Sequence, residues 1–251
     1  MRLFDLSGKV ALITGSTRGI GLSIAEHLSA LGASVIISSE SERETQAVAE
    51  RLSAIPMTCD IADPSAIDML AKRIDKTLGG PDILVSNAGV PGKSGPFATV
   101  DYADYDRVMA INLGSMVRLA NTILPMIARR GGGAAVLMSS IAGLRGNGQI
   151  NAYALAKAGV AQLARNLAVE WGPRGVRVNA VSPGLIRTSL SKPLHENVDF
   201  MEKRLQLTPL RRIGEVHEIA GAVAFLVSEA GGFVNGHNLV VDGGTTITDG
   251  S

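Results

Sequence analysis

Tyr153 and Lys157 stand four residues apart in a stretch where Val160, Leu163, Leu167 and Trp171 recur at helical spacing. Residues so separated share one face of a helix. Ser140 directly follows the apolar run 134–139, which reads as a buried strand. A hydroxyl, a phenol and an ammonium meeting at a strand's carboxyl end suit chemistry at a carbonyl. Hydride delivery to the carbonyl carbon builds negative charge on oxygen, which a hydrogen-bond donor and a proton donor must meet. Free tyrosine titrates near about pH 10. A neighbouring ammonium favours the phenolate, so Lys157 is expected to lower the Tyr153 pKa. A lone Tyr-x-x-x-Lys pair also arises by chance on helix surfaces, so the assignment depends on what lies upstream.

Upstream is Thr14-Gly15-Ser16-Thr17-Arg18-Gly19-Ile20-Gly21, between an apolar run and a helical period. Clustered glycines cost conformational entropy unless the backbone needs them. Gly15 is expected to permit a tight turn. Gly19 and Gly21 are expected to let a pyrophosphate approach a helix N-terminus, where free N–H groups and the dipole favour anions. A ribose-binding acid is expected about 20 residues further on. The residues there are Ser38-Ser39-Glu40. Glu40 suits a ribose 2′-hydroxyl, or is simply a solvated residue opening the next helix. Arg18 can pair with a 2′-phosphate, and Ser39 can hydrogen-bond one. The balance favours NADP(H), with NAD(H) the alternative.

Several elements must carry these residues. Strands are expected at 9–13, 34–38, 56–60, 82–86, 134–139, 176–181 and 238–241. Helices are expected at 19–31, 41–53, 102–129 with a bend near Pro125, 151–171 and 215–228. A further helix starts at Asp63-Pro64, the acid as N-cap and proline in the first turn. Strands alternating with helices predict one α/β domain over 1–251, a Rossmann fold with a doubly wound, seven-stranded parallel sheet. The long connection 183–214 follows a strand's carboxyl end, where open α/β sheets bind ligands, and is expected to shape a substrate site together with 143–150.

Composition removes other classes. Lys and Arg number 24 against 23 Asp and Glu, so no charge imbalance favours nucleic acid or an anionic membrane. One cysteine, Cys59, excludes an internal disulfide framework, and it reads as a small buried residue in a strand. The four histidines show no ligand spacing, so no metal is expected. No uncharged apolar stretch reaches the roughly 18–20 residues of a span, and the N-terminus lacks a signal-peptide pattern. The expected compartment is the cytoplasm. Trp171, Met109, Met116 and Met126 read as packing residues.

Taken together, these residues resemble the short-chain dehydrogenase/reductase family from about residue 6 to residue 244. The glycine turn is similar to that family's Thr-Gly-x-x-x-Gly-x-Gly, and Ser86-Asn87-Ala88-Gly89 to its Asn-Asn-Ala-Gly. Ser140 precedes Tyr153 by the family's usual 13 residues, whereas Ser139 is one early and would face away. The resemblance implies Tyr153 as acid–base, Ser140 as the polarising hydroxyl, Lys157 as its electrostatic partner and ribose ligand, and Asn112 holding a water of a proton relay. It implies Asp60 and Ile61 beside adenine and Asn87 bracing the central strands. Pro183-Gly184 would open the substrate loop, with Ile186 and Thr188 at the nicotinamide. With Thr17, Ile20, Ala88 and Gly89, these complete the expected cofactor site.

Within the family, residues 184–189 and 212–215 resemble NADPH-dependent carbonyl reductases, whereas Gly146-Asn147-Gly148 is similar to 3-oxoacyl-carrier-protein reductases. The expected reaction is reduction of a small-molecule ketone, with a 3-oxoacyl thioester as the alternative substrate. A catalytically silent nucleotide-binding regulator is the rival from another class. The resemblance also implies a homotetramer built on the helices at 102–129 and 151–171.

Overall fold

The computed structural model describes residues 3–248. Seven parallel strands form one sheet in the order β3-β2-β1-β4-β5-β6-β7. They are β1 (Val10–Thr14), β2 (Ser34–Ser38), β3 (Ile55–Pro56), β4 (Ile83–Ser86), β5 (Gly133–Met138), β6 (Val176–Pro183) and β7 (Asn238–Val241). The helices are α1 (Gly19–Ala30), α2 (Glu42–Leu52), α3 (Pro64–Leu78), α4 (Tyr102–Met109), α5 (Ser115–Arg129), α6 (Ala152–Trp171), α7 (Lys192–His195), α8 (Val198–Gln206) and α9 (Val216–Val227).

Side chains alternate across each strand, so one short run feeds both faces of the sheet. Leu12, Ile36, Leu84 and Leu137 enter a core with α3, α5 and α6. Ala11, Ile13, Val35, Ile37, Val85 and Val136 enter the opposite core with α1 and α9. Both layers are apolar, which is why the strands read as nearly continuous hydrophobic runs. The chain reverses direction of winding between β1 and β4, and that point opens the cleft described below.

Three expectations change. The helix expected over 102–129 is two helices joined by a π-helical turn, Ala110–Gly114, and Pro125 lies inside α5. The disturbance is tertiary. The Asn112 side chain bonds both the N–H and the C=O of Val90, at 3.0 and 2.8 Å, holding an extra residue in the turn. The strand expected over 56–60 shortens to Ile55–Pro56. Beyond it the chain still runs beside β2, through Met57 N–H to Ile37 and Cys59 N–H to Ser39, but without a regular ladder. Cys59 is therefore buried outside a strand. The connection 183–214 contains the short helices α7 and α8.

Candidate active site

β1 delivers the glycine turn to the carboxyl edge of the sheet. Gly15 (φ 63°) and Gly19 (φ 57°) adopt the left-handed conformation that glycine tolerates. Gly21 plays a different part from the one expected. A Cβ there would lie 2.1 Å from the Gly15 carbonyl oxygen and 2.5 Å from the Asn87 amide, so its bareness serves the turn's own packing rather than ligand approach. Asn87 fastens the turn from the neighbouring strand, donating to the Thr14 and Gly15 carbonyls at 3.0 and 3.2 Å. The Thr14 hydroxyl accepts the N–H groups of Asn87 and Ala88.

The start of α1 suits an anion. Its N-cap, Arg18, makes no side-chain cap and no acid lies in the first turn. By contrast, Ser41 caps α2, Asp63 caps α3, Asp101 caps α4 and Asn197 caps α8. An uncapped N-terminus of a twelve-residue helix, beside a glycine cradle, fits the pyrophosphate of a dinucleotide.

Arg18 and Glu40 meet at the far edge of this cradle, 3.3 Å apart and both exposed. Ser39 is buried and directs its hydroxyl to Glu40 at 3.3 Å. Thr17 bonds Glu44 at 3.1 Å, a contact the sequence reading missed. Glu44 lies three residues beyond the cap Ser41 and reads locally as a capping residue.

The cleft encloses about 720 Å³. Gly15, Thr17, Arg18, Gly19, Ile20, Gly21, Ser39, Glu40, Asp60 and Ile61 line its nucleotide end. Asn87, Ala88, Gly89, Asn112, Ser140, Tyr153, Lys157, Pro183, Gly184, Ile186 and Thr188 line the remainder. Every anticipated site residue thus reaches one cavity. Ala62, Val90, Ile111, Met138, Leu185, Ser189, Leu190 and Ser191 also line it and were not anticipated, and Ser139, expected to face away, borders it as well. Ser191 fixes Thr188 through a hydroxyl pair at 3.0 Å, a contact legible only once α7 is seen to begin there.

Ser140 and Ser139 differ in their bonding. Both border the cleft, but Ser139 is buried and commits its hydroxyl to the Lys157 carbonyl at 2.7 Å. The Ser140 hydroxyl accepts from Ala142 N–H at 3.1 Å and lines the cleft together with Tyr153. Lys157 lies on the same face of α6, its Nζ 5.6 Å from the Tyr153 ring centre and 2.7 Å from the Met138 carbonyl. Gly89 abuts the pair. A Cβ there would strike Asn112 Oδ1 at 2.4 Å and approach Lys157 Nζ at 3.7 Å.

The electrostatics correct one expectation. Burial raises the Tyr153 pKa, and the Ser140 hydrogen bond offsets this only in part. Lys157, also buried, is lowered from 10.5 to about 8. Removing water penalises the charged form of each group, and this outweighs the expected lowering of Tyr153 by Lys157. Near neutral pH the phenol is a proton donor and the ammonium still holds its proton.

Among the described residues no cluster of three or more His, Cys, Asp or Glu could hold a metal ion, and no helix is long and apolar enough to cross a membrane.

A family model described as enoyl-(acyl carrier protein) reductase matches residues 15–246. Dehydrogenase/reductase SDR family member 4 of Homo sapiens is 37% identical over 245 residues, covering 96% of this chain and 88% of the relative. The 3-oxoacyl-[acyl-carrier-protein] reductase FabG of Escherichia coli (strain K12) is 36% identical over 242 residues, covering 96% and 98%. A solved gluconate 5-dehydrogenase from Burkholderia cenocepacia J2315, in complex with NADP and tartrate, superposes with a TM-score of 0.95 at 32% identity, covering 98% of each chain. The chain belongs to the short-chain dehydrogenase/reductase family and is an oxidoreductase acting between CH–OH and C=O groups.

Proposed function

We propose that the protein reduces a ketone to a secondary alcohol with NADPH, reversibly, through Ser140, Tyr153 and Lys157. The observation that carries this reading is the convergence of Ser140, Tyr153 and Lys157 in one cleft with the uncapped start of α1. A bound dihydronicotinamide would supply hydride to the carbonyl carbon. Ser140 donates a hydrogen bond to the carbonyl oxygen as its charge grows. Tyr153 passes its phenolic proton to that oxygen, giving the alcohol, and recovers a proton from solvent. The Lys157 ammonium limits the cost of the transient phenolate. Asn112, locked to Val90 in the π-helical turn, keeps the wall beside Lys157 in place for reprotonation through water.

The residues fit a nicotinamide dinucleotide, with Lys157 on the ribose and Thr188 beside the carboxamide. Arg18 and Ser39 would receive a 2′-phosphate once Glu40 turns outward, which favours NADP(H). A ribose 2′-hydroxyl on Glu40 is the NAD(H) alternative. The NADP-bound relative supports the first. The similarity to FabG supports a second substrate reading, a 3-oxoacyl thioester. Exposed apolar positions on α5 and α6 support a homotetramer. The proposed compartment is the cytoplasm.

The test is NADPH oxidation by the purified protein against a panel of simple ketones and acyl-pantetheine 3-oxo thioesters. The reading expects turnover of a ketone. Binding of NADPH with no turnover across the panel would overturn it and favour a nucleotide-binding regulator. Thioester turnover alone would select the second substrate.

A further inference from the structure

The segment 90–95, which the chemistry above does not use, runs from the cleft to the start of α6. Val90 lines the cleft. Both ends of the segment are gripped through the backbone, N–H and C=O together. At the first end Asn112 takes both groups of Val90. At the other, Gly95 N–H donates to the Gln149 carbonyl at 2.9 Å, and the Gly95 carbonyl accepts from the Asn151 side-chain amide at 3.1 Å. Midway, Lys93 N–H donates at 2.6 Å to the buried carboxylate of Asp104, which Arg107 of α4 also holds at 2.6 Å. Gly92 (φ 71°) lets the chain lie against α4 there, since a Cβ would stand 2.6 Å from a Val108 methyl. A coil fixed at its middle and both ends acts as a strut rather than a free loop.

Asn151 is the joint between this strut and the catalytic helix. It is buried, and it is the N-cap of α6, two residues before Tyr153. A capping side chain ordinarily accepts from the N–H two or three residues on. Asn151 Oδ1 instead accepts from the adjacent Ala152 N–H at 2.5 Å, and the donor half of the amide goes to Gly95. Aspartate or serine would serve the accepting half as well. The donor reaching Gly95 has no use in capping, and among the common caps only asparagine supplies an N–H. Its effect is to fix the first turn of α6, which carries Tyr153, against the segment that carries Val90.

We infer that Asn151 is a positioning residue for the reaction: through Gly95 it sets the spacing between the Tyr153 phenol and the wall of the substrate pocket formed by Val90. This rests on the reading of Tyr153 as proton donor to a ketone. Proton transfer needs the donor within hydrogen-bond reach of the carbonyl oxygen, and a misplacement of about 1 Å from a distant change can cost about 10²-fold in rate. The nucleotide end of the cleft, built on β1 and α1, does not touch this joint, so cofactor affinity is independent of it.

The experiment uses two variants that keep an acceptor for Ala152 N–H and lose the reach to Gly95. Asn151→Asp replaces the donor with an oxygen, and Asn151→Ser shortens the side chain without adding charge. With the ketone of the panel that the wild type reduces fastest, kcat should fall about 10–100-fold in both. The Kd for NADPH should stay within about threefold, and the melting temperatures within a few degrees of the wild type. Lys93→Ala removes an exposed ion pair to Asp101 from the same segment and should leave kcat unchanged. Hydrogen–deuterium exchange gives a signature that needs no substrate, with exchange quickening at 90–95 and 149–154 in the Asn151 variants and unchanged along α1. An undiminished kcat in both variants would overturn the inference while leaving ketone reduction intact. A lower kcat accompanied by an equal loss of NADPH affinity, or by a lower melting temperature, would overturn it too, by assigning Asn151 to the fold alone. A wild type that reduces no ketone fails the parent reading and takes this inference with it, an outcome told apart from the others because the wild type itself is inert.

Discussion

Tyr153 and Lys157 respond to the same burial in opposite directions, because the charged form is the phenolate in one and the ammonium in the other. Tyr153→Phe removes the phenolic proton donor that shares the cleft with Ser140. We expect kcat to fall by roughly 10³-fold or more while the Kd for NADPH moves by less than about threefold. Near-normal turnover in single-turnover assays would sink the assigned role. Lys157 also leaves a mark on stability. Its pKa is about 8 when folded against 10.5 ordinarily, so the unfolded chain binds more protons between those values. The penalty for burying the ammonium is therefore full below about pH 8 and is relieved as pH rises towards 10.5. That relief amounts to about 3 kcal/mol at most. Urea midpoints should rise from pH 7.5 to pH 9.5 in the wild type and stay flatter in Lys157→Met, and parallel slopes would refute the assignment. The opposite shift of Tyr153 acts only above its ordinary pKa of 10 and does not cancel this window. At the ribose end, Arg18→Ala should raise KM for NADPH about tenfold more than KM for NADH. An unchanged ratio would exclude Arg18 as the phosphate reader. The spacing of Ser140, Tyr153 and Lys157 was legible in the sequence because helix and strand geometry convert it into proximity. The direction of the Tyr153 shift was not, since burial is set by β4, β5 and the loop beyond β6.

Each element places its part of the site through a local rule and one tertiary constraint. α1 begins without a cap because its first turn faces the cleft. The strand-to-helix register there depends on Gly21, whose missing side chain admits the Gly15 carbonyl and the Asn87 amide. Gly21→Ala should destabilise the fold by about 1–3 kcal/mol, the usual cost of overpacking, and weaken NADPH binding at the same time. Gly148→Ala is the control, since a Cβ there meets nothing within 4 Å and φ is not positive. Equal melting temperatures for the two variants would refute the packing role. Most elements were readable, because alternation marks strands, 3.6-residue periodicity marks helices and Asp63-Pro64 marks a helix start. The π-helical turn was not. Residues 102–129 carry an unbroken helical pattern, and the cause of the break is the bond from Asn112 to Val90, twenty-two residues away. The end of β3 was overextended for a similar reason. β-Branched and apolar character continues past Pro56, but the sheet edge supplies only β2 as a partner.

Among the described residues, exposed apolar side chains gather on the α5–α6 face and around β7, and also on the connection before α9. On one side Leu155 and Val169, two heptads apart on α6, are 46% and 80% exposed, with Val117 of α5 exposed on the same side of the sheet. On the other, β7 is an edge strand, and Phe233, Val240 and Ile247 around it are exposed. An unprotected edge and an apolar helix face are both surfaces that folded chains tend to cover with a partner. Two patches related to different elements suit two distinct two-fold contacts, and two such contacts close into a dihedral tetramer. Sedimentation should therefore find a particle of four chains. Leu155→Glu with Val169→Glu should stop assembly at the dimer held by β7, and Phe233→Glu at the dimer held by α6. A monomer at all concentrations in the wild type would reject both surfaces. The α6 variant carries a further consequence. Tyr153 and Lys157 line the cleft from the helix whose other face would meet the partner, so losing that contact would remove support from the catalytic pair while leaving the glycine turn untouched. Its kcat should drop while its Kd for NADPH holds, whereas the Phe233→Glu dimer, which retains the α6 contact, should keep its kcat. Equal losses in both dimers would place the effect in general destabilisation rather than in the helix that carries Tyr153.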